Sequence, residues 1–184
     1  MSEYRVIDLE VQPYFDLELL LSVSQETRIG GELMEAMAGA WDKWAPHVRA
    51  KRIEIGKDSY LLAWLDEAVE EAVDDKWEEA PSEAFLFNAL AQVMLMGAVH
   101  DLVPQVEEIG CAPAPRPTDA LAEALASLGV PYASPGEPGL ARRYAVNTYF
   151  PFRGGCEICT LQRQCPKGGG QGGDFSITLP GYEK

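Results

Sequence analysis

The sequence predicts a mainly α fold: one helical domain with one or two short N-terminal strands and an irregular C-terminal metal-binding loop. Three observations carry that prediction. Apolar residues recur at helical spacing through most of residues 17–128, clear period-two alternation is confined to the N-terminus, and three of the four cysteines crowd into residues 156–165. With 184 residues, 47% of them apolar, the chain is long enough to bury one core. The expected organisation is a single domain over 1–184: an acidic, mainly helical body (1–139), a cysteine-loop region (140–167) and a glycine-rich tail (168–184).

Within residues 5–12, Ile7, Leu9 and Val11 alternate with Asp8, Glu10 and Gln12, predicting a half-buried strand that Pro13 ends. A second short strand is expected over 52–55, before Gly56. Residues 17–23 and 33–44 read as helices separated by Gly30-Gly31, the second closed by Pro46. The next helix is expected from an N-cap at Asp58 or Ser59, with Leu61, Leu62, Leu65, Ala68, Val69, Ala72 and Val73 on one face. Asp66, Glu67, Glu70, Glu71, Asp74, Asp75 and Glu78 form the other face. These carboxylates read as a solvated surface, because no Glu-x-x-His partner of the di-iron type accompanies them.

Pro81-Ser82-Glu83 starts a helix whose apolar residues, from Phe85 to Val103, surround it almost completely. Asn88 and Gln92 interrupt its apolar run and Glu83, His100 and Asp101 flank it, so it reads as a buried core helix rather than a membrane span. Pro104 ends or kinks it, and Gly110 stops the chain just before Cys111. Residues 112–117 (Ala-Pro-Ala-Pro-Arg-Pro) form a stiff extended connector, and Thr118 or Asp119 caps a short helix through Leu128. The tail, Gly168-Gly169-Gly170-Gln171-Gly172-Gly173 onward, is too glycine-rich for regular structure.

Charge is uneven. Residues 1–139 carry nine Lys or Arg against 26 Asp or Glu, and residues 140–184 carry six against three, for a net charge of −14. Such a surface repels phosphate backbones, so nucleic acid is not an expected partner. No basic start leads into an apolar stretch and a cleavage site, so the expected compartment is the cytoplasm. In that reducing environment clustered cysteines suit a metal better than disulfides.

Cys156, Cys159 and Cys165 form a C-x2-C-x5-C loop. The two-residue spacer lets Cys156 and Cys159 take neighbouring positions on one centre, and the five-residue spacer lets Cys165 return to it. Thiolates bind both iron-sulfur clusters and zinc. Structural zinc usually takes two separated pairs, and neither His47 nor His100 makes one, so the spacing favours iron-sulfur. Cys111, at a helix end before the proline connector, is the expected fourth ligand. The alternative for Cys111 is an inert buried thiol, with His100, water or a partner's group completing the site.

The loop resembles the [4Fe-4S] loops of the endonuclease III-like DNA glycosylases, the RecB-like CRISPR-associated and AddB-type nucleases, and the WhiB-like redox sensors. The resemblance covers the cysteine triplet and its surroundings, and it implies cluster ligation alone. Tyr149 stands where the glycosylases have their first cysteine, and no acidic-and-lysine nuclease core is traceable.

Arg142, Arg143, Arg153, Arg163 and Lys167 surround the loop in sequence, opposed only by Glu157. They would dock an acidic protein partner such as a redox enzyme, or balance cluster charge. Gly154 and Gly155 amides would favour the reduced cluster. Tyr144, Tyr149, Phe150 and Phe152 read as packing residues that also shield the cluster. With no nucleophile elbow, phosphate loop, dinucleotide fingerprint or radical motif, no catalytic residue is assigned. The expected function is that of a cytoplasmic iron-sulfur protein binding one [4Fe-4S] cluster. It would act as an accessory, electron-transfer or maturation component of a larger redox system. The alternatives are a cluster-based redox or nitric-oxide sensor, a zinc-stabilised interaction module, and an enzyme with an open cluster iron.

Overall fold

The computed structural model describes residues 3–165. Lys167 and the glycine-rich tail lie outside them. Four strands, β1 (Tyr4–Asp8), β2 (Val48–Ile55), β3 (Asp58–Leu65) and β4 (Ala145–Tyr149), form an antiparallel sheet in the order β1-β2-β3-β4. Six helices accompany it: α1 (Leu17–Ser24), α2 (Gly31–Trp44), α3 (Glu67–Glu79), α4 (Pro81–Leu102), α5 (Pro104–Ile109) and α6 (Asp119–Ser127). The fold is therefore mixed α and β, with a four-stranded sheet where the sequence had predicted one or two strands in a mainly α domain.

The largest correction concerns β3. Ser59 through Leu65 were expected to open a helix, yet every one of these residues is buried in a strand. Leu61, Ala63 and Leu65 enter the core shared with α4, while Tyr60, Leu62 and Trp64 enter a second core beneath α6. A strand covered on both faces loses its polar alternation and reads as a continuous apolar run. Full burial of a leucine contributes about 1.5–3 kcal/mol, so Leu61 and Leu62, each wholly buried on opposite faces, hold the two layers together. The helix that was expected at 58 starts after Asp66 instead.

The β2–β3 hairpin pairs Ile55 with Asp58, and Gly56 (φ 59°) supplies the positive dihedral of the two-residue turn. β4 pairs with β3 in the register Leu62 opposite Asn147. The sequence had predicted no strand here and, of these residues, had marked only Tyr149, as aromatic packing before the loop.

The main core is centred on α4, whose buried residues run from Ala84 to Val99. This helix is long and apolar enough to cross a membrane, but here it packs among α1, α2, α3, α5 and the sheet. Asn88, one of the two polar breaks in its apolar run, accepts a 2.7 Å hydrogen bond from the buried Tyr144 hydroxyl. Pro104 does more than end α4, since it is the first residue of α5. Thr118 caps α6 by accepting from the Leu121 amide. Gly97 lets the Pro13–Tyr14 backbone cross α4 closely, because an added Cβ would lie 3.0 Å from the Tyr14 carbonyl oxygen.

Candidate metal centre

β4 delivers the chain to the cysteine loop. Past Tyr149 it passes Phe150 and Phe152, both packed against the main core, and enters a short 3-10 turn at Cys156–Ile158. Backbone turns continue the loop: the amides of Cys159, Gln162 and Gln164 donate to the carbonyls of Cys156, Cys159 and Leu161 at 3.2, 3.1 and 2.9 Å. Apolar burial contributes little here, since Leu161 is exposed and Ile158 only half-buried.

Two tertiary hydrogen bonds fix the loop to the proline connector. The Ala114 amide donates to Cys159 Sγ at 3.4 Å, and the Thr160 amide donates to the Ala114 carbonyl at 3.0 Å. Both backbone polar groups of Ala114 are thus committed to the loop. The connector is anchored one residue earlier, where Thr148 Oγ1, from β4, donates to the Pro113 carbonyl at 2.8 Å inside the core. The result is a clasp of strand, connector and loop.

Cys111 sits at the start of this connector, its amide bonded to the Val106 carbonyl as α5 ends with Gly110 in the left-handed region (φ 70°). Near the other end of the loop, Gly155 lies beside Ile109, whose Cδ1 would be 3.8 Å from an added Cβ. The residue before Cys156 is therefore close to the end of α5, and Cys159 is close to Ala114. Cys156 is exposed; Cys111, Cys159 and Cys165 are half-buried, and no disulfide joins any of the four. Among the described residues, no group of three or more His, Cys, Asp or Glu side chains is arranged to hold a metal ion. The fold brings together the segments that carry the cysteines without a convergent ligand set.

The glycine amides expected to face a cluster are partly engaged. The Gly155 amide donates to Glu157 Oε1 at 3.0 Å. Backbone hydrogen bonds from Glu157's own amide and from Gly155 hold the Glu157 carboxyl below its usual range. Gly154 leaves room for this carboxylate, which an added Cβ there would strike.

Three of the basic residues have intramolecular carboxylates. Arg143 makes a two-pronged pair with Asp74 (2.8 and 3.2 Å), and its amide donates to Glu70. Arg142 lies 3.7 Å from Glu70, its Nε and Nη1 buried without a hydrogen-bond partner. Arg153 pairs with Asp58 at 2.8 Å and lies over the Tyr149 ring. The acidic face of α3 thus serves partly as a dock for the chain entering β4. Arg163 is exposed on the loop. Of the aromatic residues, Tyr144 is buried and Tyr149 packs on Tyr60, 5.8 Å between ring centroids.

Sequence reasoning missed the two residues that make the clasp, Thr148 and Ala114. Ala114 acts only through its backbone, and Thr148 sits in a five-residue strand, Ala-Val-Asn-Thr-Tyr, that shows no apolar–polar alternation. Comparison with known proteins finds no matching family model, no similar curated protein and no similar solved structure.

Proposed function

We propose that this is an iron-sulfur protein that binds one [4Fe-4S] cluster through Cys156, Cys159, Cys165 and Cys111. In this reading it serves a larger redox system as an accessory, electron-transfer or maturation component. The observation that carries the reading is the two-way hydrogen bonding of Ala114 with Cys159 and Thr160, which ties the connector bearing Cys111 to the loop bearing the other three thiols. An N–H donor on Cys159 Sγ is the kind of contact that stabilises a ligating thiolate.

A loop held mainly by backbone turns is one whose final arrangement metal binding would complete, since ligation free energy is also folding free energy. A bound cluster would supply one-electron transfer. The protein's own contributions are the N–H donor at Cys159, the packing of Phe150 and Phe152 against the main core just before the loop, and the basic side chains that flank the loop in sequence. An acidic partner docking at Arg142, Arg143, Arg153, Arg163 and Lys167 would exchange the carboxylates of Glu70, Asp74 and Asp58 for its own. The Arg143–Asp74 and Arg153–Asp58 pairs are exposed and worth only about 0–1 kcal/mol each, so exchanging them is cheap, whereas the Arg142–Glu70 pair is largely buried.

The test is iron, zinc and sulfide analysis with visible absorption on the full chain purified without oxygen. The expected result is about four irons and four sulfides per chain with a broad visible band, lost on Cys156→Ala or Cys159→Ala. Zinc without sulfide would replace this reading with a structural interaction module. Protein with neither metal would overturn both.

A further inference from the structure

A cavity of about 530 Å³ opens on the opposite side of Cys111 in the chain from the clasp, between α1, the C-terminal half of α4, α5 and the Gly110–Ala112 turn. Its size falls within the range of small-molecule sites, about 300–1,000 Å³. Seven of the lining residues are apolar: Leu19 and Val23 from α1, Met96 and Val99 from α4, Val106 from α5, Ala112 and Val146. The remaining side chains are polar and carry one sign of fixed charge. Asp16 and Glu107 contribute carboxylates, no Lys or Arg lines the cavity, and Ser22, His100 and Cys111 complete the wall.

The carboxylates converge from different elements. Asp16 caps α1, its Oδ1 accepting from the Leu19 amide at 3.0 Å, and Glu107 on α5 receives the Tyr14 hydroxyl at 3.4 Å. Asp101 stands near the same end, where its Oδ2 receives the Gln12 amide at 3.4 Å. The Tyr14 phenol responds to this crowding: its pKa is raised first by desolvation, then by the charges of Glu107 and Asp16, and further by Asp101. The cavity therefore has an apolar body with a negative end, inside a chain of net charge −14.

From this arrangement we infer that the cavity binds a small amphipathic cation: an apolar aliphatic or aromatic body in the Leu19, Val23, Met96, Val99 and Val146 region, with an ammonium head beside Glu107 and Asp16. An apolar wall alone accepts any hydrophobic guest; the two carboxylates without a lining Lys or Arg select the sign of the head group. Anionic ligands of the same shape are rejected because they would meet uncompensated like charge. The inference does not rest on the proposed cluster.

The experiment is isothermal titration of the full chain with octylamine, octanol and octanoate, which share one apolar tail and differ in head-group charge. Octylamine should bind tightest and octanoate weakest. Glu107→Gln should weaken octylamine about threefold, the scale of an exposed charge pair, and leave octanol unchanged. Ser22→Trp, a change at an exposed lining position of α1, should abolish binding of all three while circular dichroism stays native. Cys156→Ser should leave all three affinities unchanged, which separates this site from the metal reading. Octanoate binding as tightly as octylamine would overturn the charge assignment. Equal binding in Ser22→Trp, or no binding of any probe to the native chain, would overturn the site.

Discussion

Replacing Thr148 with Val tests the clasp on which the candidate centre is built. Thr148 is 1% exposed and its hydroxyl donates at 2.8 Å to the carbonyl of Pro113, itself buried. Valine keeps the branched shape and removes the donor. The orphaned buried carbonyl costs about 1–3 kcal/mol, and the extra apolar methyl returns at most about 0.8 kcal/mol, so the net loss should be about 1–2 kcal/mol. For a chain of this size that is a fall in Tm of about 2–8 °C, seen in urea as a lower midpoint at unchanged slope. The local consequence is sharper. With Pro113 unlatched, the Ala114 and Thr160 amides, which hold connector and loop together, should exchange faster than the global loss of stability explains, while β2–β3 amides follow the global change. Thr148→Ser retains the hydroxyl and should keep both clasp amides protected. If Thr148→Val left the midpoint and the Thr160 exchange rate unchanged, the clasp would not be what holds the connector.

Burial, opposed by the Asn147 hydrogen bond and reinforced by Tyr60 and Tyr149, pushes the Tyr132 phenol up to about 12. A raised folded-state pKa means its contribution is complete below the ordinary value of 10.0 and is lost as pH rises from there towards 12. Tyr132→Phe should flatten the alkaline fall in stability, and ultraviolet titration showing all seven tyrosines ionising together near 10 would refute the burial argument. Hydrogen bonds from Arg143 lower the Asp74 pKa below 3.8, so that pair's contribution is present above 3.8 and is lost as pH falls through the lowered value. Arg143→Gln should return the Asp74 midpoint, followed by NMR, to the ordinary range; an unmoved midpoint would show that the pair does not form in solution. Gly97→Ala gains up to about 1 kcal/mol of helix propensity but forces a 3.0 Å contact on the Tyr14 carbonyl, where overpacking costs about 1–3 kcal/mol, so denaturant melts should show a net loss near 1 kcal/mol and a stabilised variant would contradict the close crossing.

What was legible in the sequence follows the number of faces each element buries. Helices α1, α2, α4 and α6 show their signals in the chain: a one-sided stripe or all-round apolar surface, Pro81 at a start, Thr118 at a cap. β1 was readable because one face stays polar. β3 was not, because it is covered from both sides, and its Leu61, Leu62 and Leu65 continue by coincidence into the apolar spacing of α3. β4 is only five residues long and adjoins an aromatic run, so its pairing with β3 depends on a partner that had itself been read as helix. One misread strand therefore hid the sheet, and with it the position of Thr148.

The candidate centre shows the same division between side-chain chemistry and backbone geometry. Cysteine spacing marks the loop, but nothing in a row of residue types marks Ala114 as the point where the connector meets it. Cys111 has two neighbourhoods, the cavity wall on one side and the clasped connector on the other. Between them stands Pro113, whose ring fixes φ and whose carbonyl Thr148 holds in the core. A shift of Ala112 caused by a guest in the cavity would meet this fixed residue before it reached Ala114. Coupling between distant sites needs an element with two discrete arrangements, and a proline latched by a buried hydrogen bond is a poor one. A guest in the cavity would therefore not reach the cysteine loop along the connector, which Thr148 latches at Pro113; under the proposed ligation by Cys111 the two sites would instead meet directly at that residue, which lines the cavity.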